Sequence, residues 1–230
     1  MISGDFVNIL IISDIHNDIE NLMIYFDKLR GMDFDVIVCP GDFTDIPPKG
    51  FDALDIAKII IEQLKIFRKP ILIVPGNWDK DLLGYFELEG MNLHATGRII
   101  KDVGFYGFGG AKTPFNTLFE PSEDEITTGL KEGYEHVKNA KIKVQVTHNP
   151  PSRTKVDAVY TGAHVGSEAV RKFIEEKQPQ LAICAHIHEG RGIDEIEKTK
   201  IINSGRFPEG YVGFVSIDDK KVTTKILNLI

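Results

Sequence analysis

Cysteine is almost missing from this chain: two residues in 230, Cys39 and Cys184, each inside an apolar run. That excludes a disulfide framework and reads as two buried core thiols, as expected in a reducing compartment. No lysine- or arginine-rich stretch occurs, and the net charge is −7. Tight binding to long nucleic acid, which needs a basic surface, is therefore not expected. A small phosphate ester stays open, because bound cations reverse the local potential. Nor is there an apolar run near the roughly 20 residues that span a bilayer. Val7–Ile12 is short and interrupted by Asn8, and no basic n-region precedes it, so the expected location is cytoplasmic and no membrane is expected as partner. No glycine-rich phosphate loop follows any apolar run, and there is no repeat, low-complexity tract or long Pro/Gly/Ser linker. A single domain over 1–230 is the expectation.

What the chain does have is the balance of a globular protein, 42% hydrophobic and 27% charged. Val7–Ser13 is an apolar run but for Asn8 and the closing Ser13, as a strand buried on both faces would be. Asn17–Leu29 then carries Leu22, Tyr25, Phe26 and Leu29 at helical spacing and stops at Gly31. The alternation repeats: strand Asp35–Cys39, helix Phe51–Phe67, strand Ile71–Val74, and later strands Ile142–Thr147 and Leu181–Ala185 around a helix Gly166–Lys177. Asp79–Glu87 reads as a short helix, and Gly109–Ser122, with Gly109, Gly110, Pro114 and Pro121, as an irregular loop of a length that is often functional. Ile99–Phe108, Lys200–Asn203, Tyr211–Ile217 and Lys221–Leu227 read as strands, with Asp218-Asp219 linking the last two. The pattern predicts an α/β fold with an added antiparallel portion.

Polar side chains stand where the apolar runs end. Val7–Ser13 is followed by Asp14-Ile15-His16, Asp35–Cys39 by Pro40-Gly41-Asp42, and Ile71–Val74 by Pro75-Gly76-Asn77. Ile142–Thr147 runs into His148, and Leu181–Ala185 into His186-Ile187-His188. Open α/β sheets bind ligands beyond the carboxyl ends of their strands, so five strand ends would deliver two Asp, one Asn and four His to one place. Imidazole with carboxylate suits transition metals, and no thiolate stands at these positions, unlike a structural zinc site. Seven ligands are too many for one tetrahedral ion but suit two ions about 3.5–4 Å apart sharing a carboxylate. The isolated His94 and His136 are given no role.

At these residues the sequence resembles the calcineurin-like metallophosphoesterase superfamily, whose motifs run D-x-H, G-D, G-N-H-[DE], H and G-H-x-H. They stand here as Asp14-Ile15-His16, Gly41-Asp42, Gly76-Asn77-Trp78-Asp79, Thr147-His148-Asn149-Pro150-Pro151 and Ala185-His186-Ile187-His188. The resemblance, closest to a phosphodiesterase-like branch, implies a four-layer αββα sandwich with two mixed β-sheets. It implies Asp14, His16 and His188 on one divalent metal, Asn77, His148 and His186 on a second, and Asp42 between them, with manganese, iron, nickel or zinc as the ions. It further implies contact of Asn77 and His148 with substrate, and attack of a metal-bridged hydroxide on a phosphodiester or, second in order, a phosphomonoester of a small molecule. Two positions depart from the family pattern. Trp78 stands where the family has a histidine, and an indole N–H is no acid near neutral pH; Ala185 stands for glycine. His164, in the glycine-flanked Gly162–Gly166 loop, is a candidate to replace the missing histidine, with Asp79 a weaker one. The alternative function is a metal-binding or interaction protein of the same fold without catalysis.

Overall fold

In the computed structural model, which describes residues 6–218 and 221–230, the apolar runs become strands buried on both faces. Eleven strands are present among the described residues: β1 Val7–Ile11, β2 Val36–Cys39, β3 Ile71–Ile73, β4 Thr96–Ile100, β5 Val103–Phe108, β6 Ile142–Thr147, β7 Leu181–Cys184, β8 Gly192–Ile196, β9 Thr199–Asn203, β10 Tyr211–Ile217 and β11 Val222–Asn228. The helices are α1 Ile19–Arg30, α2 Ala53–Lys65, α3 Leu83–Leu88, α4 Glu123–Val137 and α5 Glu168–Lys177. One sheet runs β11-β10-β1-β2-β3 and the other β4-β5-β6-β7-β9-β8. Both are mixed: β1-β2-β3 and β5-β6-β7-β9 are parallel, whereas β10, β11, β4 and β8 pair antiparallel with their neighbours.

Strand alternation sorts the side chains into layers. Val7, Ile9 and Ile11 of β1 and Val36 and Val38 of β2 meet Val144, Val146, Leu181 and Ile183 of the other sheet in one core. The intervening Leu10, Ile37 and Cys39 face α1 and α2, packing with Leu22, Leu29, Ile56 and Ile60. On the far side Ala182 and Cys184 face α4 and α5 through Ile126, Leu130, Val170 and Phe173. The result is the expected helix–sheet–sheet–helix sandwich. Both cysteines are buried and unpaired. Among the described residues, no helix is long and apolar enough to cross a membrane.

Several elements differ from the sequence expectation. Ile99–Phe108 is a hairpin rather than one strand, because Lys101 takes a left-handed φ of 51° between β4 and β5. The Asp79–Glu87 helix is a 3₁₀ turn, Lys80–Leu82, leading into α3. Two elements were given no place by pattern. Strand β8 has its alternation hidden by Asp194 and Glu195, and α4 spans 15 residues. The start signal of α4 is nonetheless written in the chain: Ser122 accepts from the Glu125 backbone N–H, and Glu125 accepts from that of Ser122, a capping box. Of the Asp218-Asp219 link, Asp219 lies outside the described residues.

Candidate metal centre

The chain leaves β1 at Ile11 and continues through Ile12 and Ser13 into a backbone that few side chains tolerate. Asp14, His16, Asp42 and His186 all adopt left-handed φ, between 48° and 68°. For residues other than glycine that conformation is sparsely populated and persists where surrounding contacts fix it. Here the contacts are explicit. Asp14 N–H donates to the Gly41 carbonyl and His16 N–H to the Asp42 carbonyl, tying the β1 loop to the β2 loop. Gly41, at φ 103°, and Gly76 pack so closely that a Cβ on Gly76 would sit 1.9 Å from Asp42 Oδ1. Only glycine lets these loops touch.

Six of the seven expected ligands form two clusters, each with its ligand atoms within 4.8 Å of one another. Asp14, His16 and His188 make the first, and Asp42, His148 and His186 the second. Asn77 joins the second, its Oδ1 3.1 Å from His148 Nε2. Asp42 Oδ2 lies 3.4 Å from His148 Nε2 and 3.7 Å from His16 Nε2, so one carboxylate reaches both clusters. Asp14, Asp42, Asn77 and His148 are buried, while His16, His186 and His188 are partly accessible. The four buried groups therefore form the floor and the three histidines the rim.

The donor set fits divalent cations on several counts. One oxygen of the buried Asp14 carboxylate, Oδ2, has no hydrogen-bond partner, a costly state unless a ligand satisfies it. The Nε2 atoms of His16 and His188 face each other at 3.3 Å, where two lone pairs would repel unless something positive, a proton or a metal, sits between them. His148 Nδ1 lies 2.7 Å from the Pro40 carbonyl; donating there leaves Nε2 as the free donor atom, the usual support of a ligating imidazole.

Protonation follows the same crowding. Burial opposes charge on Asp42, but His148 and the other imidazoles outweigh it and hold the carboxyl down at about 2. Burial likewise works against the His148 cation, yet Asp42 beside it pushes the imidazole up to about 9. Burial and the positive His148 press His186 down to about 4. Burial also lowers His16. His188 is raised, its burial outweighed by hydrogen bonding to Asp14, and Asp14 is held below the usual carboxylate range by His188 and His148 against its own burial. Two carboxylates kept ionised beside imidazoles are the charge state a cation needs.

The weaker candidates are placed elsewhere. His164 Nδ1 lies 2.7 Å from Asp157 Oδ1, and its side chain is 46% accessible. Asp157 also accepts from the backbone N–H groups of Arg153, Thr154 and Gly166, so this pair organises the loop between β6 and α5. Asp79 does not cap its 3₁₀ turn. Fully buried, it accepts from the backbone N–H of Gly76, Phe43 and Thr44 and from Thr44 Oγ1, at 2.9–3.1 Å. It thus clamps the Asp42 loop to the Asn77 loop. Burial and the negative Asp42 push its carboxyl up to about 6 against the three backbone N–H donors. Trp78 donates its backbone N–H to Asp42 Oδ1 at 3.3 Å.

Residues without a motif also contribute. Asp45 Oδ2 stands 3.5 Å from His16 Nδ1. Asn203, ending β9, donates to the Ile187 carbonyl at 2.8 Å and so fixes the turn between His186 and His188. The sheet register, not local sequence, brings Asn203 there. The Gly109–Ser122 loop docks on the site, with Phe119 N–H on the Asn77 carbonyl at 2.9 Å. The half-buried His94 takes the Gly109 N–H on Nδ1 at 3.0 Å.

Glu120 staples that loop through Oε1, which accepts from Thr113 Oγ1, Thr117 N–H and Thr117 Oγ1 at 2.6–2.7 Å. These donors outweigh what burial opposes and lower the carboxyl to about 2 from an ordinary value of 4.5. A depressed carboxylate stabilises above its unfolded value and loses that contribution as pH falls through the folded one. Protection of the amides of residues 112–120, taken relative to the intrinsic exchange rate at each pH, should therefore fall between pH 4.5 and about 2, before that of β5 and β6 does. A loop equally protected at both ends of that range would contradict the staple.

With this geometry in hand, likeness to known proteins is informative. A family model described as calcineurin-like phosphoesterase matches residues 7–190. An uncharacterized protein of Methanocaldococcus jannaschii is 34% identical over 212 residues, covering 90% of each chain. A solved structure of a Thermus thermophilus protein superposes with a TM-score of 0.71 at 20% identity, over 98% of this chain and 100% of that one. A protein described as a novel archaeal phosphodiesterase shares the fold at a TM-score of 0.53 and 15% identity, over 96% of this chain and 100% of that one.

Proposed function

From the membership of this chain in the calcineurin-like phosphoesterases, we propose that it is a dinuclear-metal hydrolase acting on phosphodiesters, and less readily on phosphomonoesters, of small molecules. The observation that carries this reading is the pair of clusters joined by Asp42, whose Oδ2 reaches both His16 and His148. Asp14, His16 and His188 would hold one ion, Asn77, His148 and His186 the other, with Asp42 shared; manganese, iron, nickel and zinc all suit this donor set. When bound, the ions supply Lewis acidity toward the phosphoryl oxygens and lower the pKa of water toward neutrality.

The chain's own residues then have distinct tasks. The buried Asp14 and Asp42 carboxylates supply two negative charges against the cations. Asn77 and His148 flank the place where a phosphoryl oxygen would sit, and the amide can donate there without charge. The partly accessible His16, His186 and His188 leave the centre open on one side, as an entering ester requires. No imidazole follows Asn77 in sequence, since Trp78 stands there. General acid help is worth about 10²–10⁴-fold, so esters of good leaving groups should react first. The likeness to a described archaeal phosphodiesterase favours diesters as the class. The two unpaired buried thiols suit a reducing interior, and we place the protein in the cytoplasm.

Metal-stripped protein, re-supplied separately with manganese, iron, nickel and zinc, tests the proposal against a chromogenic diester and its monoester counterpart. Metal-dependent turnover favouring the diester is expected. Two ions bound per chain without turnover of either ester would instead support the non-catalytic reading that Trp78 suggests.

A further inference from the structure

Beside the first cluster stands a cation that none of the described residues neutralises. The chain leaves β9 as Ser204-Gly205-Arg206-Phe207, and this segment is fastened to the end of β1. Ser13 Oγ lies 2.8 Å from both Ser204 Oγ and the Gly205 carbonyl, and Phe207 N–H donates to the Ser13 carbonyl at 3.0 Å. Arg206 is therefore held against Ser13, the residue before Asp14, by hydrogen bonds from the residues on both sides of it. It is half-buried, and its Nε is shielded from solvent without any acceptor. Among the described residues no carboxylate lies within ion-pairing distance of its guanidinium.

Its neighbour shows the contrast. Arg191 packs against Gly205, lies 3.6 Å over the Tyr211 ring and pairs with Glu209 at 3.6 Å. That guanidinium is committed, whereas Arg206 is not. Burying a donor without a partner is costly unless a ligand supplies the acceptor. A positive group beside cation ligands works against the ions themselves. What gains from the ions and the guanidinium together is an anion.

We infer that Arg206 is a substrate-binding residue that grips the non-bridging oxygens of the phosphoryl group at the Asp14/His16/His188 cluster. The planar fork of a guanidinium matches two phosphate oxygens, which an ammonium cannot do. The inference rests on the proposed phosphoesterase reading for its ligand class. It adds a positive anchor outside the metal ligands, set on the β9 side of the centre.

Inorganic phosphate is the probe, titrated calorimetrically into metal-reconstituted protein, with metal content and thermal unfolding measured alongside. Arg206→Ala should weaken phosphate binding by about 10–100-fold while two ions per chain remain. Arg206→Lys should recover only part of it, and it serves as the second variant where the alanine protein folds poorly. Unchanged phosphate affinity in both variants would overturn the inference. So would loss of metal in Arg206→Ala, which would make the residue a support of the cluster. The two readings separate cleanly. Weakened phosphate binding in a protein that turns over no ester leaves the anchor standing and removes the hydrolase. Turnover with phosphate affinity indifferent to residue 206 does the reverse.

Discussion

Asp42→Ala is expected to empty both metal positions at once. In dialysed protein, the metal content measured by mass spectrometry should fall from two ions per chain to below one. The reason is geometric. Asp42 Oδ2 is the carboxylate oxygen lying within 4 Å of imidazoles from both clusters, 3.4 Å from His148 and 3.7 Å from His16. Loss of partners that only orient a ligand costs about 10–100-fold in metal affinity, and a shared ligand should cost more than that at each position. Electrostatics point the same way. Asp42 pushes the His148 imidazole up to about 9 and is itself held down at about 2. Without it, Asp14 is left as the one carboxylate among four imidazoles in the two clusters. Two ions, each doubly charged, would then share a single ligating carboxylate. Activity should fall with the metals, and raising the metal concentration should restore little of it. An Asp42→Ala protein that keeps two tightly bound ions would show that the clusters are independent, and the dinuclear reading would go with it.

How far the sequence reached depends on which interactions were local. Strand β1 was readable because Val7–Ile11 is apolar on both faces, and the sandwich buries both. The meeting of these side chains is legible because strand ends in a parallel sheet point one way, so Asp14, Asp42, Asn77, His148 and His186 come together. Other features are local but faint in the pattern. The capping box Ser122–Glu125 announced α4, yet a glycine at 129 and another at 133 thin its apolar stripe. Those glycines are forced by packing, since a Cβ at Gly129 would lie 2.1 Å from the Phe108 ring. What no local pattern contained were long-range tasks. Asn203 reads as the end of a strand, and only pairing of β9 with β7 sets it under Ile187. Arg206 reads as a surface residue, and only the Ser13–Ser204 contact sets it against Ser13, the residue before Asp14. His164 illustrates the converse. Its glycine-flanked loop makes it a candidate to replace the missing histidine, and the structure gives it a carboxylate partner in its own loop.

Asp79→Ala should destabilise the metal-free protein by about 3–5 kcal/mol, because four buried donors lose their shared acceptor. The carboxylate is fully buried and accepts four bonds, from Gly76, Phe43 and Thr44 N–H and from Thr44 Oγ1. Alanine would leave those donors in a closed space without acceptors. Such orphaned groups cost roughly 1–3 kcal/mol each, and their sum is reduced by relaxation. For a domain of this size, 1 kcal/mol moves Tm by about 2–4 °C, so a fall of roughly 10–15 °C is expected. Asp79→Asn should not rescue it, because the amide would turn an N–H₂ toward other N–H groups. The exposed Asp81→Ala is the control and should stay within about 0.5 kcal/mol of wild type. Metal-free protein is the right sample, since bound ions would stabilise the folded state by mass action and mask the loss. The functional consequence follows from what the clamp joins. The four bonds tie Phe43 and Thr44, next to Asp42, to Gly76, next to Asn77, and these are residues from opposite sides of the second cluster. Loosening that tie should weaken metal binding even though Asp79 touches no ion. A Tm within 2–3 °C of wild type would mean the loops hold their shape through Gly41 and Gly76 packing alone, and Asp79 would lose its place as the clamp.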